Sequence, residues 1–292
     1  MTGTPAAAVS TPETSRPGRR TVVTVAGTGS IGRTVAEAVT RGDLPGCTLL
    51  TVIDSSTPKD EVRQAVAASD VLVEATTVEA ARHLVPTALA LGTDVVVCSC
   101  GILAEPGALT LPDPDRDAVP NPPASTGTAA PSRPRQGRVL LPAGAIGGFD
   151  VLAAAARAGL GRAHVRHTTT KRPAALGVDH DVLHPLEVFR GTAREAARRY
   201  PRTSNSSVAL ALATTGLDEV EVVVIADPAA TVTRHEVVCT SSLGTYRLAF
   251  ENAVDPASGG RTSAITAWSV VDLLAGLHRG VGPGVVVLDG VS

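Results

Sequence analysis

A chain of 292 residues with 43% hydrophobic content is long enough for two modest domains, each with its own core. Aromatic residues make up only 2%, so Ala, Val and Leu must do the packing. The formal charge of −2 gives no electrostatic reason to expect nucleic acid or an anionic membrane as a partner, and no apolar run is long enough to span a bilayer.

Residues 1–20 are rich in Pro, Thr, Ser and Ala and lack the apolar stretch of an export signal, so a disordered tail is expected there. Order begins at Thr21. TVVTVAG is an apolar, β-branched run suited to one buried strand. The chain then turns at Gly27-Thr28-Gly29-Ser30-Ile31-Gly32 and continues as RTVAEAVTRG, where Val35, Ala38 and Val39 fall at helical spacing. A second apolar run, CTLLTVID, closes on Asp54. In such a turn the first glycine permits the tight bend, the second lets the backbone approach a pyrophosphate, and the third lets helix and strand pack closely. The helix N-terminus adds free N–H groups and a positive dipole end. Asp54 can accept the hydroxyls of an adenosine ribose, and its carboxylate repels a 2′-phosphate that no adjacent Arg would receive. A glycine turn alone is compatible with an ordinary bend. Strand, turn, helix and closing acid together point to a dinucleotide site that favours NAD over NADP.

STPKDEVRQAVAASD reads as a short helix or loop, and VLVEAT (Val71 to Thr76) as a third strand. A helix carrying Pro86 follows, then a fourth strand, DVVVCSC (Asp94 to Cys100). This alternation argues for a doubly wound parallel sheet of Rossmann type, with the cofactor just beyond the carboxyl ends of its strands, near Gly27, Thr76 and Ser99. Residues 104–137 are dense in Pro and small polar residues and read as a long loop, a surface insertion rather than a lid. Order returns with a strand from Val139 to Leu141, a turn of small residues, and an Ala-rich helix from about Phe149. RAHVRHTTTKRP is a strand ending in Lys171-Arg172, and GVDHDVLHPLEVFRG a polar connector. Two helices follow, the second entered through Asn205, then the strand EVEVVVIADP and a hairpin about Leu243-Gly244. These elements suggest an α+β second domain on a mostly antiparallel sheet. TSAITAWSVVDLLAGLHRG is a final helix long enough to pack back on the first domain. The expected division is a dinucleotide-binding domain at 21–140, an α+β domain at 141–261, and a returning helix with its tail at 262–292.

Cys47, Cys98, Cys100 and Cys239 sit in or beside apolar strand-like runs. Cys98-Ser99-Cys100 is too close for an ordinary disulfide or a metal knuckle, so buried free thiols in a reducing cytoplasm are expected. His180-Asp181 and His184 have ligand-like spacing but lie in a connector without helical context, and no metal is expected. No nucleophile elbow supports Ser/His/Asp hydrolysis.

LPAGAIGGFD, TTTKRP, VFRGTAREAARRYP, an Asn before an apolar helix, IADPAATVTRHEV and RTSAITAWSVV occur here in one order. Together they resemble the L-aspartate dehydrogenase family over roughly residues 21–280, outside the Pro-rich segment. The resemblance implies an NAD(P) domain joined to an α+β domain that carries the substrate site and the contacts of a homodimer. It implies reversible oxidative deamination of aspartate through iminosuccinate, with a small amino or imino dicarboxylate as substrate. By position it makes His235 the catalytic histidine, Ala145 the residue whose backbone amide meets the cofactor, and Asn205 a cofactor-binding Asn. Gly27, Gly29, Ser30, Ile31, Gly32, Asp54 and Thr76 complete the expected cofactor set. Two departures stand out: Thr233 where the family usually has Asn, and Gly259-Gly260-Arg261 where it usually has Asn-Pro-Lys. Thr cannot supply the paired donors of an amide, which opens the reading of a relative retuned to another amino acid or imine. A cofactor-binding protein without turnover is a further alternative.

A histidine with an ordinary pKa near ~6.5 suits the acid/base work on the amine and on the water that attacks the imine. A dicarboxylate also needs fixed cations. Lys171 and Thr233 are the expected substrate contacts, and Arg172 and Arg261 are weaker candidates. His83, His164, His167, His180, His184 and His278 carry no such indication.

Overall fold

Two five-stranded sheets organise the chain, as the computed structural model shows for residues 19–107, 137–158, 163–178, 182–258 and 262–280. Residues 1–18, most of the Pro-rich segment, His180, Gly259-Gly260-Arg261 and the last 12 residues lie outside that description.

The first half alternates as its apolar runs dictate: β1 (Thr21–Ala26), α1 (Ser30–Arg41), β2 (Cys47–Ile53), α2 (Lys59–Ala67), β3 (Val71–Glu74), α3 (Val78–Ala90), β4 (Asp94–Val97) and β5 (Val139–Leu140). All pairings are parallel and the strand order is β2-β1-β3-β4-β5. The order reverses between β1 and β3, and a crevice opens at such a reversal, beyond the carboxyl ends of the strands. Helices cover both faces. Val23, Val25, Val71 and Val73 pack toward α1, whereas Ala26, Leu72, Val95 and Val97 pack toward α2 and α3. The segment after Asp54 is a helix, α2. The fourth strand ends at Val97 rather than Cys100, because the Ser99 N–H turns out of the ladder to donate to Glu74 at 3.0 Å.

The second half continues with α4 (Phe149–Ala158), β6 (His164–Lys171), α5 (Pro173–Leu176), β7 (Leu186–Thr192), α6 (Ala193–Arg199), α7 (Asn205–Ala213), β8 (Glu221–Ala226), β9 (Thr233–Ser241), β10 (Gly244–Asn252) and α8 (Ile265–Arg279). Its sheet runs β10-β9-β6-β8-β7, antiparallel at every pairing except β6 with β8. The fold is therefore α/β: a Rossmann-type parallel sheet beside a mostly antiparallel α+β unit. One expectation is corrected here. The polar connector before α6 contains β7, an edge strand paired with β8. Thr192 ends that strand and caps α6, its hydroxyl taking the Glu195 N–H while the Glu195 carboxylate takes the Thr192 N–H at 2.8 Å.

One face of the second sheet is covered by α4, α6 and α7, which pack Leu152, Ala196 and Leu210 against Val165, Val222 and Val237. The returning α8 packs on α1, placing Val270, Val271 and Leu274 in the core of the first sheet. Further bonds join the halves. The Gly144 N–H donates to Ser269 Oγ at 3.0 Å, the Gly101 N–H to Asn205 Oδ1 at 3.3 Å, and the Ser30 hydroxyl to Asp255. Among the described residues no helix is long and apolar enough to cross a membrane.

Candidate active site

The glycine turn is shaped for the close approach its sequence suggested. Gly27 leaves β1 at φ +107, where a Cβ would stand 2.3 Å from the Ala75 carbonyl oxygen. A Cβ on Gly32 would stand 2.0 Å from the Gly27 carbonyl oxygen, so helix and turn close only around glycine. Gly29 caps α1, faces open space, and leaves the first N–H groups of the helix without a side-chain cap. Gly29, Ser30, Ile31 and Thr76 line a cleft of about 850 Å³ between the two units. Asp54 stands just past β2. Its Oδ1 accepts the Ser56 hydroxyl at 2.6 Å and the Ser56 N–H at 2.9 Å, which hold the carboxyl below its usual range. An uncapped helix start, a cradle that admits no Cβ and an ionised acid at the end of β2 fit a dinucleotide.

Glu74 supports this cleft from beneath. It is fully buried at the end of β3. Its carboxylate accepts the Thr76 N–H and hydroxyl at 2.8 and 2.6 Å and the Ser99 N–H and hydroxyl at 3.0 and 3.0 Å. One acid thus fixes the two loops that flank the cleft. Residue spacing could not single it out, because a lone Glu at a strand end has no motif around it.

At its inner end the cleft meets a smaller cavity lined by Lys171, Arg202, Asn205, Ala145 and His235, with Ile31, Cys98, Arg202, Asn205 and Thr262 shared between the two. His235 lies on β9 opposite Thr169 of β6 and Phe250 of β10, on the helix-covered face of the sheet. It is 2% exposed, and its Nε2 is buried without a hydrogen-bond partner among the described residues. Burial, then His167 and Lys171, hold its pKa well below the usual histidine value. Lys171 ends β6 on the same covered face, and burial lowers its pKa to about 8, so it is a cation at neutral pH. Ala145 is buried, and its carbonyl accepts from Asn252 Nδ2 at 2.7 Å.

Other expected residues fall elsewhere. Thr233 is buried two residues before His235 on the same face of β9 but does not line the cavity. Arg172 points away from it, its Nε donating to the Ala230 carbonyl at 2.5 Å. Arg261 lies outside the described residues. Arg202, which sequence reasoning missed, lines both cavity and cleft from the loop before α7. His167, set aside on sequence grounds, is in contact with His235. Among the described residues no cluster of His, Cys, Asp or Glu could hold a metal ion. All four cysteines are free and buried. Burial and then Glu74 push the Cys98 thiol well up and Cys100 up to about 12, so neither is a nucleophile near neutrality.

Comparisons with known proteins agree with this layout. The family model described as aspartate dehydrogenase, C-terminal, matches residues 150–277, and that described as homoserine dehydrogenase, NAD binding domain, matches residues 27–110. The L-aspartate dehydrogenase of Methanopyrus kandleri is 33% identical over 275 residues, covering 87% of this chain and 95% of that protein. That of Bradyrhizobium diazoefficiens is 30% identical over 277 residues, covering 86% and 90%. Among solved structures, aspartate dehydrogenase from Thermotoga maritima superposes with a TM-score of 0.61 at 22% identity, covering 92% of this chain and 100% of that one. That likeness shows the shared fold.

Proposed function

The chain belongs to the L-aspartate dehydrogenase family, with an NAD-binding domain at its N-terminal end, and from that premise we propose that it interconverts L-aspartate and oxaloacetate plus ammonia through iminosuccinate. The observation that carries the proposal is the unpartnered Nε2 of His235, buried in the cavity that also holds the Lys171 ammonium at the inner end of the cleft.

When bound, the nicotinamide supplies the acceptor for a hydride leaving the substrate Cα. The rest is done by the chain. Lys171 sets a fixed cation against one substrate carboxylate, and Arg202, which lines the same cavity, offers a planar fork to the other. His235, neutral in its buried setting, accepts a proton at Nε2 from the ammonium or from the water that attacks the imine carbon. Ala145 and Asn205 hold the cavity wall where it meets the cleft, and Gly29, Ser30, Ile31 and Thr76 line the dinucleotide track. Asp54 favours NAD over NADP. The protein acts as a homodimer in the cytoplasm in this reading, which the four buried thiols suit.

The test uses purified protein: NAD reduction with L-aspartate beside NADH oxidation with oxaloacetate plus ammonia. Turnover in either direction is expected, with NADPH used less well than NADH. Absence of both, with NADH still bound, would overturn the assignment of substrate. Thr233, buried beside His235 where the family usually has Asn, favours one second reading, a relative retuned to another amino or imino acid. In that case Thr233→Asn raises aspartate turnover.

A further inference from the structure

His235 does not stand alone. Its Nδ1 lies 3.1 Å from Nε2 of His167, and the two rings stack with centroids 5.2 Å apart and an interplanar angle of 24°. Nδ1 of His167 lies 2.9 Å from the hydroxyl of Ser207 on α7. All three residues are nearly inaccessible: His167 is 1% exposed, His235 2% and Ser207 2%. The line therefore runs from a buried hydroxyl, through one imidazole, to a second imidazole whose far nitrogen meets the cavity. Among the described residues, the charged side chains lining that cavity are Lys171 and Arg202, both cations.

A neutral imidazole has one N–H and one lone pair, so the two contacts couple the tautomers. If His235 carries its proton on Nδ1, it donates to His167 Nε2, and His167 in turn donates from Nδ1 to Ser207. His235 then shows a lone pair to the cavity. If Ser207 donates to His167 Nδ1 instead, His167 donates from Nε2 to His235 Nδ1, and His235 shows an N–H to the cavity. The rings must therefore carry their protons on corresponding nitrogens. The first arrangement is a base and the second an acid.

Resting on the reading of His235 as the acid/base group, we infer that His167, oriented by Ser207, is a positioning residue that selects whether His235 Nε2 shows the substrate a lone pair or an N–H and takes over the proton collected there. The transfer balances simply. A bond forms between the incoming proton and His235 Nε2, the His235 Nδ1–H bond breaks, and that proton bonds to His167 Nε2. The pair then holds one excess proton, with the positive charge on the ring farther from the cavity cations. The reverse movement returns the proton to substrate.

Three variants test this: His167→Leu, which removes the partner; His167→Gln, which keeps a hydrogen-bonding group without a titratable ring; and Ser207→Ala. The expected result is a kcat lowered 10-fold to 100-fold in His167→Leu with the NADH Kd unchanged. The acid limb of kcat/KM should move by at least half a pH unit in His167→Leu and in the same direction, less far, in Ser207→Ala. His167→Gln should restore part of kcat but not the wild-type pH profile. A lowered kcat with unmoved pH profiles in all three variants would reduce His167 to packing, and wild-type kinetics in them would remove it altogether. A readout independent of turnover separates this inference from the substrate assignment. Nitrogen-15 spectra of histidine-labelled, full-length protein should show His167 and His235 protonated on corresponding nitrogens, with His235 becoming a tautomer mixture in His167→Leu. Opposite tautomers in the wild type would overturn the inference even if aspartate turns over. Matched tautomers in a protein inactive on aspartate would leave it standing and remove only the substrate.

Discussion

Lys171 shows how one buried residue can carry a pH dependence. Burial pulls its pKa to about 8, so the ammonium that attracts a carboxylate is present at neutral pH and disappears as the pH rises past that value. Succinate has both carboxylates and no amine, so its binding reports this group without interference from substrate titration. Its inhibition constant against aspartate should rise above about pH 8. Lys171→Met should weaken it at pH 7 by about 10-fold to 100-fold, the value of a charge-assisted contact in a dry site, and flatten the pH dependence. An unchanged inhibition constant would place the dicarboxylate elsewhere. Lys171 could be picked out in advance because the chain has only two lysines, Lys59 and Lys171, and this one ends a strand. Neither His167 nor Arg202 could. The value of His167 depends on β6 lying beside β9 in one register, and Arg202 sits in a loop whose direction no periodicity encodes.

At the scale of elements, apolar patterning indicated most of the fold because most strands are buried. β3 and β4 are buried at every position, and their runs of Val announce it. β7 escaped for the opposite reason. It is an edge strand with no fully buried position, so LEVFRGT presents no alternation to read. The ends of β3 and β4 escaped because a side chain, Glu74, rather than the local sequence decides where the ladder stops. Four donors converge on that carboxylate, so Glu74→Gln would turn an amide donor toward donors that need an acceptor. The expected loss is about 1–3 kcal/mol of stability, the cost of leaving a buried polar group unsatisfied. A weaker NADH affinity should accompany it, since Thr76 lines the cleft and Ser99 flanks it. Thermal unfolding and fluorescence titration measure the two effects separately, and an unchanged NADH Kd would mean that the loops are held by other contacts.

For the whole molecule, the chemistry in the cavity and the stability of the fold draw on the same buried histidines. The cavity closes only because α8 returns to α1 and α7 meets the segment after β4, which brings the second sheet against the mouth of the first. His167 is buried on the helix-covered face of the second sheet, against Ser207 of α7. Its pKa falls to about 4, burial being the main cause and Lys171 the second. In the unfolded chain the same ring titrates near ~6.5. Above that pH both states hold it neutral and it does not affect stability. As the pH falls toward about 4, the unfolded chain takes up a proton that the native state refuses, so stability is lost across that interval and levels off below it. One such group costs on the order of 3 kcal/mol over the full interval, and His235, shifted in the same direction, steepens the fall. Denaturant unfolding at pH 7.5, 6, 5 and 4.5 should therefore show stability dropping most steeply below pH 6.5, in the range where few carboxylates have begun to protonate. His167→Leu should be less sensitive to pH over this range than the wild type even if it is less stable at pH 7.5, because a ring that is absent cannot bind the proton in the unfolded state. Equal slopes in the two proteins would show that native His167 accepts the proton over this range after all.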